Sequence, residues 1–240
     1  MADIFISDLH LEEARPGIAK LFLQFLAEHA STENSLYILG DFFESWIGDD
    51  DHTSFNQLII NALKNAASQG LTLYFMHGNR DFLIGKKFLK QTKCQLLPDK
   101  YVVNLAGTLT LLLHGDTLCT EDLSYLKFRK KSRNWLLQKI FLLQSLKKRK
   151  LVAERYRRAS KQYTSTATDK IMDVTQKEVE RLMLKYEVQH MIHGHTHRPF
   201  VHQFKLNGID ATRTVLAPWH ERGSALICHS NGHQEWVVVE

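Results

Sequence analysis

Seven side chains with an oxygen or nitrogen lone pair to offer stand in five short motifs: Asp8-Leu9-His10, Gly40-Asp41, Gly78-Asn79, His114-Gly115 and Gly194-His195-Thr196-His197. Asp8 with His10, and His195 with His197, lie two positions apart. In extended chain such residues point to the same side, so each pair can aim two donors at one place. The neighbouring glycines let the backbone turn sharply there. Seven donors exceed what one four- to six-coordinate ion uses, whereas two ions sharing a bridging carboxylate would use them all. Carboxylate, imidazole and amide without thiolate suit Mn²⁺, Fe or Zn²⁺ better than copper or an iron–sulfur cluster. Two such ions, ~3.5–4 Å apart, clamp the attacking and leaving oxygens of a phosphoryl displacement and acidify bound water.

Alone, a D-x-H or G-D pair is usually a turn or a helix cap. The weight lies in the common placement of the five. Each follows a strand-like apolar run: Asp3–Ser7, Leu36–Leu39, Leu71–Met76, Leu109–Leu113 and Val188–Ile192. Ligands of open α/β sheets bind just beyond the carboxyl ends of strands. His77 and His193 precede motif glycines and read as packed residues or as supports behind the ligands rather than ligands, and Glu44 and Asp116 as carboxylates that orient ligands. Asp49-Asp50-Asp51 reads as a solvated loop or a helix cap.

The elements between the motifs alternate. Ile18–His29, Ser54–Ser68 and Asp81–Gln91 repeat apolar residues at helical spacing, and helices between strands imply a largely parallel sheet covered on its faces. Tyr101–Leu105 and Leu109–Leu113 read as a hairpin, and after residue 198 short strands follow one another: Phe200–Lys205, Thr212–Leu216, Ala225–Cys228 and Glu235–Val239. Residues 116–188 are too many for a simple crossover and must hold an insertion. At 240 residues and 44% apolar content the chain has enough material for one large core. Three scattered cysteines suit a reducing compartment, and the apolar runs fall far short of a membrane span. The first residues already read as a strand, with no leader-like pattern.

These motifs, with Trp46-Ile47-Gly48-Asp49-Asp50, Asn79-Arg80-Asp81-Phe82-Leu83, His114-Gly115-Asp116-Thr117-Leu118-Cys119 and Ile171-Met172-Asp173-Val174, resemble the calcineurin-like metallophosphoesterases. Within that family they are most similar to the branch that splits UDP-2,3-diacylglucosamine. The resemblance covers nearly the whole chain. It implies an α/β fold, a two-sheet β-sandwich flanked by helices, as a single domain over 1–240 with an inserted basic helical lid at 120–168. It implies two Mn²⁺, the first held by Asp8, His10, Asp41 and His197 and the second by Asp41, Asn79, His114 and His195. It assigns substrate contacts to Asn79, Arg80, Asp122, Ser160, Thr164 and His195, with Tyr125 nearby, and catalysis to Arg80, Asn79 and His195. Where the family often has Asn and Lys, this chain has Thr164 and Ala167, so the lysine's phosphate contact is either missing or taken over by Lys161 or Lys170. Arg80 replaces the histidine usual in the superfamily. UMP is a fair leaving group without a strong general acid, and a guanidinium neutralises equatorial phosphoryl oxygens.

Charge is very unevenly placed. Between Lys127 and Arg158 thirteen Lys or Arg face one acid, Glu154, a local +12 in a chain of net +5, which leaves −7 elsewhere. Three accounts compete: a solvated basic helix, nucleic-acid binding, or a lid that rests on anionic lipid and holds acyl chains. The aliphatic and aromatic run Trp135–Leu143 inside the basic segment favours the lid. The expected partners are then UDP-2,3-diacylglucosamine and an anionic membrane surface, with no nucleic acid and no obligate protein partner. The expected place is the cytoplasmic face of a bacterial inner membrane. Two other classes stay open at this level, a phosphodiesterase acting on nucleotides and a non-catalytic scaffold of the same fold.

Overall fold

The computed structural model describes residues 2–29, 33–166 and 173–240, the side chains of residues 164–166 excepted. Chain order is β1 (Ala2–Ile6), α1 (Pro16–His29), β2 (Asn34–Ile38), α2 (Ser54–Ser68), β3 (Thr72–Phe75), α3 (Lys86–Thr92), β4 (Gln95–Leu96), β5 (Tyr101–Leu105), β6 (Thr108–Leu112), α4 (Leu123–Ser132), α5 (Trp135–Leu142), α6 (Leu146–Thr166), α7 (Gln176–Lys185), β7 (His190–His193), β8 (Phe200–Leu206), β9 (Ile209–Val215), β10 (Gly223–His229) and β11 (Gln234–Val239). The strands form two sheets, β11-β10-β1-β2-β3-β4 and β5-β6-β7-β9-β8. The first is parallel from β1 to its edge at β4, with antiparallel β10 and β11 on the other side; the second has a parallel centre, β6-β7-β9, flanked by antiparallel β5 and β8. The largely parallel sheet expected from alternation is divided into two mixed sheets, the two-sheet sandwich that the resemblance implies, and β5–β6 and β8–β9 close as hairpins on both sides of β7.

Strand periodicity builds the sandwich. On β1, Phe5 faces the other sheet with Tyr37, Leu39, Leu112, Ile192 and Leu226. Ile4 and Ile6, its neighbours, point the opposite way and pack under α1 and α2 against Phe22, Phe25, Ile59 and Leu63. A third apolar cluster, with Leu111, Met191, Val179, Leu182 and Met183, seats α7 on the outer face of the second sheet. The result is an α/β/β/α sandwich. α1 buries Ile18, Phe22, Phe25 and Leu26, one stripe at helical spacing. α2 starts where the Thr53 hydroxyl accepts from Asn56 N at 3.0 Å.

The third helix departs from expectation. It begins at Lys86 instead of Asp81, and residues 81–85 form a turn. Asp81 is needed there as an acceptor: its two carboxylate oxygens take Phe42 N and Gly78 N, each at 2.8 Å. Asp49 then serves the helix start, accepting from Gly85 N, Lys87 N and Phe88 N.

The insertion is helical, α4 to α6, and its basic residues do something the sequence reading did not weigh. Arg129 pairs with Asp99 and Asp116, Arg133 donates to Gly78 O, Lys150 pairs with Asp51, and Arg157 pairs with Glu44. Arg149 is 2% exposed, donates to Ile47 O at 2.7 Å and grips both oxygens of Asp50. So of the three acids read as a solvated loop or a helix cap, Asp49 caps α3, whereas Asp50 and Asp51 are counter-charges for α6. Part of the +12 fastens the insertion to an acidic body. Arg149→Met is expected to cost roughly 2–3 kcal/mol in urea unfolding, since it strips a buried cation from its partners while leaving Asp50 partly in water. Trypsin should then cut the segment 127–158 faster, while α2 stays protected.

Candidate metal centre

Five loops leave the carboxyl ends of β1, β2, β3, β6 and β7 at one edge of the sandwich and carry all seven candidate ligands there. Asp8, His10 and His197 form one group and Asp41, His114 and His195 another, with ligand atoms within 4.8 Å of one another in each. In the first, His10 Nε2 lies 3.3 Å from His197 Nε2, and Asp8 Oδ1 lies 3.4 Å from His197 Nε2. In the second, His114 Nε2 is 3.8 Å from Asp41 Oδ1 and 3.0 Å from Asn79 Oδ1. Asp41 stands between them, its Oδ2 3.9 Å from His10 Nε2. This is the position a bridging carboxylate would take.

The backbone reaches this arrangement by a route the i, i+2 argument did not foresee. Asp8, His10, Asp41, His195 and His197 all have φ between +50° and +69°, in the left-handed region. The paired donors converge through tight turns rather than through extended chain. Non-glycine residues held so cost of order 1–3 kcal/mol each, and such strain collects at functional sites. Two glycines permit the crowding: a Cβ at Gly78 would lie 2.2 Å from Asp41 N, and one at Gly194 2.2 Å from Asp8 Oδ2.

The donor set fits divalent cations. His114 Nδ1 faces Leu39 O at 2.8 Å, which holds a proton there and turns Nε2 inward, while His10 Nδ1 lies 2.8 Å from Glu44 Oε2 and its Nε2 also faces the group. Asp8 Oδ1 is buried with no hydrogen-bond partner. Asn79 Oδ1 meets acceptors only, at 3.0 Å from His114 Nε2, 3.0 Å from His195 Nδ1 and 3.2 Å from Asp41 Oδ2. Half a turn of that carboxamide would satisfy them with its NH₂ and bring its oxygen 3.3 Å from Arg80 Nε. A cation gives Oδ1 its partner in the present orientation instead. Such spacings match edges of a coordination shell with bonds of ~2.0–2.2 Å.

Electrostatics point the same way. Burial, helped by nearby His114, pushes His195 down to about 4, and burial also lowers His10 against the pull of Asp41 and Asp8. Asp8 is held far below the carboxylate range because His197, His114 and His10 outweigh its burial. His114 runs the other way: burial opposes its charge, yet Asp41, Asp8 and Asp116 together raise its pKa. Unmatched carboxylate charge draws a proton onto this ring. A cation supplies that charge in the proton's place.

Other expected residues fall as follows. Arg80 N donates to Asp41 Oδ1 at 2.8 Å, and its Nε lies 4.0 Å from Asp41 Oδ2. Glu44 orients His10, as expected of it, whereas Asp116 accepts from the Tyr125 hydroxyl and from Arg129 Nε. Tyr125 thus spends its hydroxyl on Asp116 and lays its ring 6.1 Å from that of His195. Asp122 caps α4, taking Tyr125 N at 2.8 Å, and accepts from Tyr163 at 3.0 Å. Ser160 is half-buried on α6. The Thr164 side chain, Ala167 and Lys170 lie outside the described residues.

Several participants escaped the sequence reading. Ser7 Oγ donates to Asp8 Oδ2 at 2.6 Å, and His220 sets its ring 5.8 Å from that of His197. Asp81 ties the Asp41 and Asn79 loops together, and burial with nearby Asp41 raises its pKa to about 6. Arg157 reaches Glu44 from α6. Only Asp81 and Ser7 had a local signal, each sitting beside a motif; Arg157 and His220 arrive from distant sequence.

The chain belongs to the calcineurin-like phosphoesterase family, whose model matches residues 4–199. Its similarity to particular proteins is narrower. It is 47% identical over 232 residues to a protein of Photobacterium profundum named UDP-2,3-diacylglucosamine hydrolase, covering 97% of this chain and 95% of that protein. A Pseudomonas aeruginosa protein of the same name is 46% identical over 235 residues, 98% of each chain. Among solved structures, an archaeal phosphodiesterase superposes with a TM-score of 0.50 at 12% identity, covering 99% of each chain, a likeness of fold.

Because a proton must leave His114, whose pKa is raised, before its Nε2 can bind, cation affinity should climb as pH rises through the ordinary histidine range and above it. Calorimetric titration of the chelator-stripped chain at several pH values checks this, and the bound proton should appear as a buffer-dependent heat. An affinity flat across that range would contradict the assignment.

Proposed function

We propose that the protein hydrolyses UDP-2,3-diacylglucosamine at its pyrophosphate bond, releasing UMP and 2,3-diacylglucosamine 1-phosphate, with two Mn²⁺ at the centre. The observation that carries this reading is the pair of donor groups meeting at Asp41, with the Arg80 guanidinium beside it. The full-length similarity to proteins named for that substrate supports the choice of nucleotide lipid. Two divalent ions there would activate a water and clamp the attacked and departing oxygens. Asp8, His10, Asp41 and His197 would hold one ion, and Asp41, Asn79, His114 and His195 the other.

The chain's own groups do the rest. Arg80 lies at the mouth of the centre, 22% exposed in its side chain, where a guanidinium can meet equatorial phosphoryl oxygens as charge builds. Asp41 fixes the Arg80 backbone, and Asp81 fixes both loops that carry Asp41 and Asn79. His195 and Asn79 border the same space and would orient the diphosphate. Asp122, Tyr125 and Ser160 would meet the substrate from α4 and α6, as would Thr164, whose side chain lies outside the described residues. The helical insertion, residues 120–168, serves as a lid over this edge of the domain. Its outer surface supports contact with lipid: Trp135 is 65% exposed and Leu143 87%, and Leu136, Leu137 and Ile140 are exposed beside them. Lys139 packs its ammonium over the Trp135 ring at 4.8 Å. Such a surface, ringed by lysines, suits the interface of an anionic leaflet, the inner membrane's cytoplasmic face. Among the described residues no helix is long and apolar enough to cross a membrane.

The test is product analysis on UDP-2,3-diacylglucosamine in ¹⁸O-water with Mn²⁺. UMP and the lipid monophosphate are expected, with the label on one phosphorus. Turnover of simple phosphodiesters without any on the nucleotide lipid would overturn the reading. Arg80→Ala should lower kcat by about 10²–10³-fold with two Mn²⁺ still bound, measured by metal analysis beside steady-state kinetics. Vesicles containing anionic phospholipid should sediment the protein in low salt and release it in high salt, and binding indifferent to both would end the membrane part of the proposal.

A further inference from the structure

β9 runs beside β7, the strand that ends at His193 just before the loop bearing His195 and His197. It carries a cation in an unusual place. Arg213 is only 5% exposed, and its Nε has no hydrogen-bond partner. A guanidinium buried this way is costly, and an apolar residue of similar volume would serve packing as well or better. Its Nη1 lies 3.0 Å from Nε2 of His193, itself fully buried. Arginine can only donate, so His193 Nε2 must be the acceptor and Nδ1 must carry the ring's proton. That proton points at Gly194 O, 2.8 Å away.

The peptide so held is the first of the ligand loop. Gly194 N donates to His114 O at 2.8 Å, and His195 N donates to Asp8 Oδ2 at 2.8 Å. His195 and His197 follow in left-handed backbone, which a loop keeps only when its surroundings over-determine it. The Gly194 carbonyl would otherwise lack this fixed donor, and the turn could rotate away. A second tie comes from Asp173, which precedes α7: it pairs with Arg198 at 3.2 Å, directly after His197, and its negative charge acts on Arg213.

We infer that Arg213 is a positioning residue: through His193 and the Gly194 carbonyl it holds the loop that presents His195 and His197 to the cations. The inference rests on the metal-centre reading and extends it to a residue beyond the ligand set. A purely structural arginine and a positioning one differ in what its loss changes. Arg213→Met keeps volume and removes the donor, so packing alone predicts unchanged or higher stability and unchanged metal binding. The positioning role predicts Mn²⁺ affinity weaker by about 10–100-fold, the range for outer partners of metal ligands.

The experiment titrates chelator-stripped protein with Mn²⁺ and reads the free ion by electron paramagnetic resonance, with circular dichroism melts alongside. Arg213→Met is expected to fold and to bind Mn²⁺ more weakly, and Arg213→Lys, which retains one donor, to recover part of the loss. Arg213→Met combined with His193→Phe should bind no worse than His193→Phe alone, because the two act in series. A folded Arg213→Met within about twofold of the parent, or an additive double variant, overturns the inference; should the methionine variant not fold, a folded His193→Phe that binds Mn²⁺ within about twofold of the parent does so, because the path runs through that ring. If the parent chain itself takes up no Mn²⁺, the metal-centre reading falls, and this inference with it.

Discussion

Everything at the working edge of this molecule answers to one electrostatic constraint: more lone pairs converge there than protons can satisfy. Asp8 and Asp41 bring carboxylate charge into a buried space, the four imidazoles of His10, His114, His195 and His197 add nitrogens, and Asn79 adds its carbonyl. Repulsion among such groups would drive the loops apart unless positive charge stood between them. Asp41, Asp8 and Asp116 raise the pKa of His114 in spite of its burial. The left-handed backbone at five of the ligands records the conformational cost of bringing them together. A divalent ion held between these groups would offset both, and would unite the site's geometry and its chemistry in one interaction.

The sandwich is the means by which that edge is assembled. Parallel strands β1, β2 and β3 in one sheet and β6 and β7 in the other all end on the same side, so five loops from distant sequence meet across the inter-sheet core of Phe5, Leu39, Leu112 and Ile192. Buried carboxylates then stitch loop to loop. Asp81 spans the second and third, Asp8 the first and fifth. The helical insertion is stitched on by arginines, which explains why a strongly basic segment belongs to an otherwise acidic chain. Arg157 is notable among them because its partner Glu44 also holds His10. Position of the insertion and geometry of a metal ligand are therefore linked through two charged contacts.

Much of this was legible in the residues, and the exceptions share a cause. α2 spans Ser54–Ser68 in both readings because its apolar spacing and its Thr53 cap agree. α3 starts five residues late because Asp81 is spent on backbone donors of two other loops, a demand invisible from its own neighbourhood. β4 is two residues long and has no periodicity to detect. Asp50 and Asp51 look like solvent-facing acids, and their partners lie about a hundred positions away. Local signals predict local structure. Long-range pairings of charge carry none.

The sequence by itself determined which atoms are available, the family of the fold and the order of the motifs, since residue types and their placement after apolar runs are local properties of the chain. Tertiary structure alone decided that His10, His197 and Asp8 form one group and His114, His195 and Asp41 another, which nitrogen of each ring turns inward, and that Arg213 and Arg157 take part at all. The physical reason is that these are relations between loops of different strands. They come into being only when two sheets pack and bury the charges together, where a few tenths of an ångström and one missing hydrogen decide whether a lone pair meets a proton or a metal.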